Sequence, residues 1–293
     1  MNAHTSQLLP PQSASLTAKF LAGAPRIARE RQGVPEGIWL RCDGCQSTLY
    51  AKDVEDQLGV CPACRHHFPI SARERIDKVL DQDSFEEWFV DLRSVDPLGF
   101  QDARSYPERV RIAREETGLL ESAVVGTGRI QGRAVVLAVT DARFLMGSLG
   151  SVVGEKLTRS IEEATRRRVP LILICGSAGA RLHEGALSLM QMAKIAAALA
   201  RHAKAGGLTL CVLTHPTLGG AAAGLGFCGD IILAEPKALI GYTAPRIIAQ
   251  FGRAPFPAGF QTSEFLLDHG FIDRIVPRPE LRATIARMID YLG

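Results

Sequence analysis

Several features that would assign this chain to a special class are missing from its 293 residues. No stretch approaches the ~18 consecutive apolar residues that a membrane span needs, and the N-terminus lacks the basic start and apolar run of a secretory signal. The net charge is only +3, which does not by itself indicate a nucleic-acid ligand. Seven cysteines, an odd number, argue against a secreted disulfide framework. We therefore predict a cytoplasmic protein without membrane contact.

The common nucleotide and hydrolase motifs are also missing. None of the glycine-rich turns matches GxGxxG after a first strand or the GxxxxGK[ST] loop. There is no Gly-x-Ser-x-Gly elbow, and Ser177 has no evident triad partner in the sequence. Nucleotide binding and serine hydrolysis are therefore weakly supported.

Composition divides the chain into three predicted segments. Residues 1–35 combine proline, serine and glutamine with later arginines, which is typical of a flexible terminus; a short helix within residues 16–31 is a further prediction. Residues 36–70 carry the paired cysteines and are expected to form a small unit. Residues 71–293 are long enough for one large domain.

Two helices are predicted early in the large domain. The first covers residues 71–92, with Ser71 as N-cap and Glu74 three residues later, as in a capping box. The second covers the charged segment 105–117. Both are expected to precede the sheet.

The pattern of apolar runs predicts an α/β fold. A strand pair is expected over 123–130 and 133–140, joined through Gln131-Gly132. From residue 147 onward, apolar runs are followed by glycine turns and by helical segments such as 184–205. These runs cover residues 171–175, 208–213, 231–234 and 238–240. Their alternation with helices is typical of strands that pack under helices.

Four cysteines predict a metal site. Cys42 and Cys45 form one CxxC pair, and fifteen residues separate it from the pair of Cys61 and Cys64. This spacing is typical of a tetrahedral zinc site with four thiolates, which leaves no position for water and is therefore structural. Four free or redox-active cysteines are the alternative. His66 and His67 follow closely but are not needed as ligands.

The other three cysteines, Cys175, Cys211 and Cys228, lie in apolar or glycine-rich surroundings. We interpret them as small core residues. A nucleophilic Cys175 is the less favoured alternative.

Three turns of small residues are candidates for an active site. The first turn covers residues 146–154, the second turn 175–181 and the third turn 216–224. Such turns expose backbone N–H groups, which can hold an anion or a polarised carbonyl oxygen. Taken alone, they are equally compatible with ordinary tight turns.

The ordered set of motifs resembles the β-subunit family of bacterial acetyl-CoA carboxylase carboxyltransferases. The resemblance runs from about residue 34 to the C-terminus. It rests on PEGIWLRCDGCQ, VCPACRHH, GSLGSVVGEK, GARLHEGALSLMQMAK, LTHPTLGG, AEPKALIGYTAPRII and GFQTSEFLLDHGFID.

The resemblance implies a fold, an activity and partners. The fold would be a crotonase-like spiral of repeated ββα units behind an N-terminal four-cysteine zinc ribbon. The reaction would move a carboxyl group from carboxybiotin to acetyl-CoA, giving malonyl-CoA for fatty acid synthesis within an ATP-dependent complex. An α-type subunit would complete a heterotetramer, and the biotin would be attached to a biotin carboxyl carrier protein.

The resemblance also implies roles for residues in the turns. An enolate formed from the thioester needs N–H donors, and the amides of Ala178 and Gly179 are the candidates. No side-chain base is required, because released biotin can accept the proton. The residues expected to bind the substrate are Gly147, Gly150, Ser177, Arg181, Gly219, Gly220, Tyr242 and Arg246.

Four positions depart from the pattern that the resemblance implies: Met146, Ala178, His215 and Ala244. They leave open a biotin-independent acyl-CoA decarboxylase, or a carboxylase for another acyl group. A third reading adds nucleic-acid binding through the ribbon and nearby arginines. The arginines that support it are Arg26, Arg29, Arg31, Arg41, Arg65 and Arg73.

Overall fold

The cysteine segment opens the part of the chain that the structure, a computed structural model, describes: residues 38–243, 247–248, 250 and 256–293. Strands β1 (Trp39–Arg41) and β2 (Thr48–Tyr50) form an antiparallel hairpin, followed by helix α1 (Ala51–Asp56). The predicted terminal segment 1–35, with its predicted helix, lies outside the described residues. The division of the chain at residues 36–70 and 71–293 stays a prediction.

A second sheet dominates the rest of the fold. Its strands are β3 (Glu86–Glu87), β4 (Ala123–Ile130), β5 (Arg133–Thr140), β6 (Leu171–Ser177), β7 (Thr209–Leu218), β8 (Ile231–Ala234), β9 (Ile240–Gly241) and β10 (Arg274–Ile275). The order across the sheet is β10-β8-β7-β6-β5-β4-β3, and β9 also pairs with β7. Strands β3, β4 and β5 pair antiparallel, whereas β5 to β8 and β10 run parallel. The predicted α/β class is confirmed.

Helices cover both faces of this sheet. They are α2 (Ala72–Val79), α3 (Tyr106–Thr117), α4 (Ser151–Arg167), α5 (Ala186–Lys204), α6 (Gly219–Gly224), α7 (Ser263–Asp268) and α8 (Arg278–Leu292). Because side chains alternate along a strand, Leu137 of β5 packs in the core with Ile76 and Leu281. Its neighbour Val136 packs in the core on the opposite face, with the residues of α4 and α5.

The predicted strand pair and the first cap are confirmed. Strands β4 and β5 have the predicted bounds, and the turn between them places Gln131 and Gly132 at positive φ. Ser71 caps α2: its hydroxyl accepts from the Glu74 amide at 3.0 Å, and the Glu74 carboxylate accepts from the Ser71 amide at 2.7 Å. Local turn chemistry therefore determined these elements.

Three element bounds differ from the predictions. Helix α2 ends at Val79, not at residue 92, because Leu80 turns to an extended conformation. Helix α5 begins at Ala186, since Gly185 has φ 52° and ψ −133°. Strand β7 continues to Leu218, beyond the predicted apolar run.

None of the helices in the described ranges is both long enough and apolar enough to cross a membrane.

Candidate functional site

The four paired cysteines form a cluster that fits zinc. Their sulfur atoms all lie within 4.8 Å of one another. Cys42 and Cys64 are 3.6 Å apart and Cys45 and Cys61 are 3.9 Å apart, with no disulfide between them. Zinc–sulfur bonds of about 2.3 Å in a tetrahedron require sulfur–sulfur separations of about 3.8 Å. Zinc bound here would have four thiolate ligands and a structural role.

A buried charge cluster, here called the ribbon joint, attaches the cysteine segment to the main sheet. At its centre, Glu235 accepts from Arg75 Nη1 at 2.8 Å and from Arg278 Nε and Nη2 at 2.8 and 2.9 Å. Arg278 also donates from Nη1 to the carbonyls of Leu58 and Gly59, at 2.9 and 3.1 Å. One arginine therefore holds the ribbon backbone and the end of β8 together.

The electrostatics of the ribbon joint favour a charged carboxylate. Burial by itself raises the pKa of Glu235, but the facing Arg75 and Arg278 lower it well below its usual range. His67 Nδ1 lies 3.5 Å from the same carboxylate. The joint is thus a compensated ion cluster rather than a single pair.

The first and second turns are joined through their backbones. The Ala178 amide donates to the Met146 carbonyl at 2.9 Å, and the Leu149 amide donates to the Gly179 carbonyl at 2.8 Å. The Arg181 amide then donates to the Leu149 carbonyl at 3.0 Å. Leu149 and Ala180 consequently form a parallel β-bridge.

The second and third turns contact each other through their glycines. Gly179 has φ +116°, and a Cβ there would lie 3.3 Å from the Leu218 carbonyl oxygen and 3.6 Å from the Gly220 nitrogen. Gly219 has φ +57°, and a Cβ there would lie 3.4 Å from Gly179 Cα. Positive φ at both positions is a conformation that glycine adopts without strain. The three turns predicted to form one site therefore do meet.

The amides expected to hold the oxyanion need correction. In the structure the Ala178 amide is already bonded to Met146, and the Gly179 amide donates to the Ser177 hydroxyl at 3.1 Å. Within the described residues, the amides of Ala180 and Gly220 have no acceptor. The two turns bring them close, since a Cβ on Gly220 would lie 3.7 Å from the Ala180 nitrogen.

Arg181 also needs correction, because its side chain is fully buried. Its guanidinium donates to both Glu121 oxygens, at 2.6 and 3.0 Å, and to the Ser148 carbonyl at 2.9 Å and hydroxyl at 3.1 Å. It also reaches Ser94 at 3.0 Å and the Tyr106 hydroxyl at 3.1 Å. With its donors occupied and no solvent access, the guanidinium cannot bind the substrate directly.

Charge around Arg181 is balanced by two carboxylates. Burial raises the pKa of Glu121, but the Arg181 guanidinium outweighs burial and lowers it. Glu184, also fully buried, lies 3.6 Å from Arg181. Its carboxylate accepts from the Tyr106 hydroxyl at 2.7 Å and from the Ser151 amide at 2.6 Å. The sequence analysis did not select Glu121, Glu184 or Tyr106.

The remaining predicted residues are partly brought together. Gly147 leaves no space for a side chain, because a Cβ would lie 2.1 Å from the Gly176 oxygen. Ser177 is buried, so its hydroxyl supports the turn. Tyr242 is 74% exposed, and its carbonyl lies near Gly219. Arg246 lies outside the described residues.

The departures from the family pattern differ in their surroundings. Met146 has φ 57° and its side chain is 66% exposed, beside a cavity of about 250 Å³. His215 accepts from the Leu239 amide at 3.1 Å through Nδ1. Ala244 lies outside the described residues. Arginines 104, 109 and 143 line the cavity next to Met146.

A nucleophilic Cys175 is not supported. The side chain is fully buried in β6, and burial raises the pKa of its thiol to about 12. A thiol with this pKa stays protonated at neutral pH, and the thiolate is the nucleophile. Cys211 is buried as well, in agreement with the interpretation as a core residue, whereas Cys228 is only partly buried against the same core.

Two family models match the chain. The carboxyl transferase domain matches residues 70–252, and the acetyl-CoA carboxylase zinc finger domain matches residues 39–64. Together they confirm the predicted crotonase-like α/β fold with its N-terminal four-cysteine zinc ribbon.

Several curated relatives share one name. A protein of Rhodopirellula baltica, named acetyl-coenzyme A carboxylase carboxyl transferase subunit beta, is 54% identical over 92% of this chain and 87% of its own length. A relative of the same name in Gloeobacter violaceus is 50% identical over 92% of this chain and 89% of its own length. Another in Desulforudis audaxviator is 50% identical over 93% of this chain and 96% of its own length.

Solved structures share the fold. A Pseudomonas malonate decarboxylase MdcD-MdcE hetero-dimer contains a chain with 25% identity and a TM-score of 0.59, covering 76% of this chain and 86% of that chain. Transcarboxylase 12S has 24% identity and a TM-score of 0.63, covering 81% of this chain and 43% of that chain.

Proposed function

This chain belongs to the family of acetyl-CoA carboxylase carboxyl transferase β subunits, and we propose that it transfers a carboxyl group from carboxybiotin to acetyl-CoA. The observation that carries the proposal is identity of about half over nearly the whole chain to relatives with this name. The product would be malonyl-CoA, the precursor for fatty acid synthesis. The convergence of the three turns supports the same conclusion.

The chemistry requires that an enolate be stabilised. Cleavage of the N–C bond of carboxybiotin would release the carboxyl group as CO2 and leave the biotin nitrogen as a base. Transfer of a methyl proton from acetyl-CoA to that nitrogen would then place negative charge on the thioester oxygen. The enolate carbon then bonds to the carboxyl carbon. Backbone N–H groups directed at the oxygen lower the barrier, and loss of one such donor typically costs on the order of 3 kcal/mol.

We assign the two donors to the amides of Ala180 and Gly220. They replace the earlier candidates, Ala178 and Gly179, because those two amides are bonded within the chain. Ala180 is half-buried, so its amide lies at the margin of the solvent-accessible surface. The glycines at 147, 150 and 219 would admit the substrate or shape the turns, and Tyr242 and Arg246 would border the acyl pocket.

The arginine-lined cavity beside the first turn is a candidate for the coenzyme A phosphates. It has a volume of about 250 Å³ and includes Arg104, Arg109, Arg143 and Met146. Guanidinium groups suit phosphate because they offer several N–H donors in a planar fork. Arg109 and Arg143 also pair with Asp102 and Asp141, whereas Arg104 has no carboxylate partner within the described residues.

An α-type subunit and a biotin carboxyl carrier protein are the proposed partners. Helix α5 presents an apolar face next to the second turn, with Leu189 54% exposed and Met190 62% exposed; Leu182, just before it, is 79% exposed. Exposed apolar patches of this kind mark protein interfaces. A malonate decarboxylase relative forms a hetero-dimer. The free cysteine quartet suits a reducing compartment, which supports the cytoplasm.

Decarboxylation without biotin is the second candidate. The same enolate would arise from malonyl-CoA, and one solved relative is a malonate decarboxylase. Its identity of 25% is half that of the carboxyl transferase relatives. Nucleic-acid binding gains no support: Arg73 pairs with Glu87, and Arg26, Arg29 and Arg31 lie outside the described residues.

The test uses the chain purified in complex with the α-type subunit encoded nearest to it. Consumption of malonyl-CoA is measured with and without a free biotin derivative, which follows the transfer reaction in reverse. Dependence on biotin is the expected result. Loss without biotin would identify a decarboxylase, and no loss at all would refute both readings for this acyl group.

A matched pair of variants tests the donor assignment. Gly220→Ala keeps the amide, whereas Gly220→Pro removes it at the second residue of α6, in the first helical turn, where N–H groups have no acceptor within the helix. We expect the proline variant to have a kcat ~100-fold below that of the alanine variant. Equal kcat in the two variants would show that the Gly220 amide is not a donor.

A further inference from the structure

Two charged side chains fix the first turn at two points. Arg181 donates to the carbonyl and the hydroxyl of Ser148, at 2.9 and 3.1 Å. Glu184 accepts from the amide of Ser151, the first residue of α4, at 2.6 Å. The backbone between these two serines therefore has a charged contact at each end.

Residue 150, which lies between these two serines, has no space for a side chain. A Cβ on Gly150 would lie 2.6 Å from Glu184 Oε1 and 2.9 Å from Arg181 Nη1. Since real Cβ atoms do not approach so closely, the two side chains pack directly against the bare backbone. Glycine at 150 is therefore explained by this contact, without any contact to a substrate.

Tyr106 connects the two charged side chains. Its hydroxyl donates to Glu184 at 2.7 Å and accepts from Arg181 Nη1 at 3.1 Å. The residue is 1% exposed, and burial raises the pKa of its hydroxyl to about 12. The hydroxyl consequently remains a donor throughout the neutral range. Arg181, Glu184 and Tyr106 are called the clamp below.

The clamp fixes the direction of the Ala180 amide through the hydrogen bonds of Leu149. The residues on either side of Ala180 both bond to Leu149: the Gly179 carbonyl accepts its amide at 2.8 Å, and the Arg181 amide donates to its carbonyl at 3.0 Å. Leu149 lies between the two serines that the clamp holds. A shift of this segment would therefore rotate the peptide that carries the Ala180 amide.

We propose that Glu184 and Tyr106 are positioning residues for carboxyl transfer, acting through Ser151 and Arg181 to hold the Ala180 amide in its direction. This inference rests on the proposed function, because it assigns Ala180 as an oxyanion donor. Neither residue touches the substrate. Their loss should therefore lower kcat while the KM for the acyl-CoA changes little.

The experiment compares Glu184→Gln and Tyr106→Phe in the reconstituted complex. In wild type, one Glu184 oxygen accepts from the Tyr106 hydroxyl and the other from the Ser151 amide. Glutamine has one side-chain oxygen, so it can accept only one of these two hydrogen bonds. We expect kcat to fall between about tenfold and about a hundredfold for Glu184→Gln, and less for Tyr106→Phe, which keeps the Ser151 bond. The KM for malonyl-CoA and the Kd for acetyl-CoA are expected to stay within about twofold of the wild-type values, because neither residue contacts the bound acyl-CoA.

His202→Leu serves as the stability control. His202 is fully buried in the last turn of α5 and bonded to the Thr165 hydroxyl at 2.9 Å. It lies beside the Leu208 carbonyl, where β7 begins, whereas the turns follow the C-terminal ends of the strands. It should lower the thermal midpoint and leave kcat unchanged. A folded Glu184→Gln complex with the kcat of the wild type would overturn the inference. It would also be overturned if Glu184→Gln and His202→Leu had the same thermal midpoint and the same loss of kcat, because the loss would then follow from lower stability alone.

Failure of the proposed function gives a different result. The variants are compared on the wild-type complex's own reaction with malonyl-CoA, with and without the biotin derivative. Transfer and decarboxylation both pass through the enolate, so the clamp is tested in either case. If the wild-type complex consumed malonyl-CoA without the biotin derivative, carboxyl transfer would be refuted. The kcat of each variant relative to wild type would still show whether Glu184 and Tyr106 are positioning residues.

Discussion

The ribbon joint and the clamp are both buried arginine–glutamate clusters, but their central charges have opposite signs. In the ribbon joint, one carboxylate, Glu235, is shared by Arg75 and Arg278. At the clamp, one guanidinium, Arg181, faces Glu121 and Glu184. A buried charge is stable only when it is paired. The central residue is therefore the one whose loss leaves two buried charges uncompensated, and it differs between the two regions.

The functional consequence differs as well. The ribbon joint connects segments that are far apart in sequence and holds the zinc ribbon against the end of β8. The clamp connects the first turn to the second turn, which supplies the Ala180 amide. Damage at the joint should reduce stability, whereas damage at the clamp should reduce both stability and turnover. Mutations at the two centres separate these roles.

Arg181→Met should have the largest effect. Glu121 would remain buried without a cation, so the free energy of unfolding should fall by about 3–5 kcal/mol, and kcat by at least about a hundredfold. Chemical denaturation and malonyl-CoA turnover measure the two effects. A second change, Glu121→Gln, should restore part of the stability but none of the turnover. Recovery of both would contradict a positional role for the guanidinium.

Glu235→Gln should be nearly as costly for stability but much less for turnover. Arg75 and Arg278 would both lose their buried partner, again at about 3–5 kcal/mol, while the turns are untouched. Arg278→Met is the milder control, since Glu235 keeps Arg75. Measured below the thermal midpoint, kcat per assembled complex should change less than about twofold. A large loss of kcat would show that the ribbon joint also orders the active site.

Acid should weaken both clusters in the same direction. The folded-state pKa values of Glu121 and Glu235 lie below the usual value of about 4.3. Their contribution is therefore complete above pH ~4.3 and is lost as the pH falls through the lowered values, at about 1.4 kcal/mol per unit of lowering for each group. Unfolding curves between pH 7 and 3 measure it. The difference in stability between wild type and Glu235→Gln should shrink as the pH falls below ~4.3, and a difference that stays constant with falling pH would contradict this origin.

Ala178→Gly should have the smallest effect. The Ala178 amide bonds to Met146, so glycine keeps the bond and adds backbone freedom worth at most ~1 kcal/mol. Turnover and acyl-CoA preference should stay within about twofold. A change in preference between acetyl-CoA and longer acyl-CoA substrates would instead support the hypothesis of a specialised enzyme.

Local sequence signals predicted the elements whose contacts are close in sequence. The strand pair around Gln131-Gly132 and the capping box of Ser71 and Glu74 depend on a few neighbouring residues, and both are confirmed. The zinc cluster follows from spacing alone. Strand β7 was predicted too short because Thr214 and His215 are polar although they continue the strand.

The site could be predicted only in part, because its hydrogen bonds join distant residues. The family resemblance predicted that Arg181 binds the substrate, whereas its side chain pairs with Glu121, sixty residues away. The same holds for Tyr106, which reaches Glu184 across seventy-eight positions. The sequence contains one local signal for the clamp: Glu184 follows Arg181 by three residues, a spacing that favours an ion pair on a helix. The choice of Ala180 over Ala178 required the position of the Met146 carbonyl, which the spacing in the sequence does not give.

The most direct test of the account is a crystal structure of the complex with the α-type subunit and bound acetyl-CoA. We predict that the thioester oxygen lies within ~3.2 Å of the amide nitrogens of Ala180 and Gly220, and that the Arg181 side chain remains buried against Glu121. A thioester oxygen held by the Ala178 amide, or an Arg181 guanidinium in contact with the ligand, would contradict both the assigned donors and the clamp.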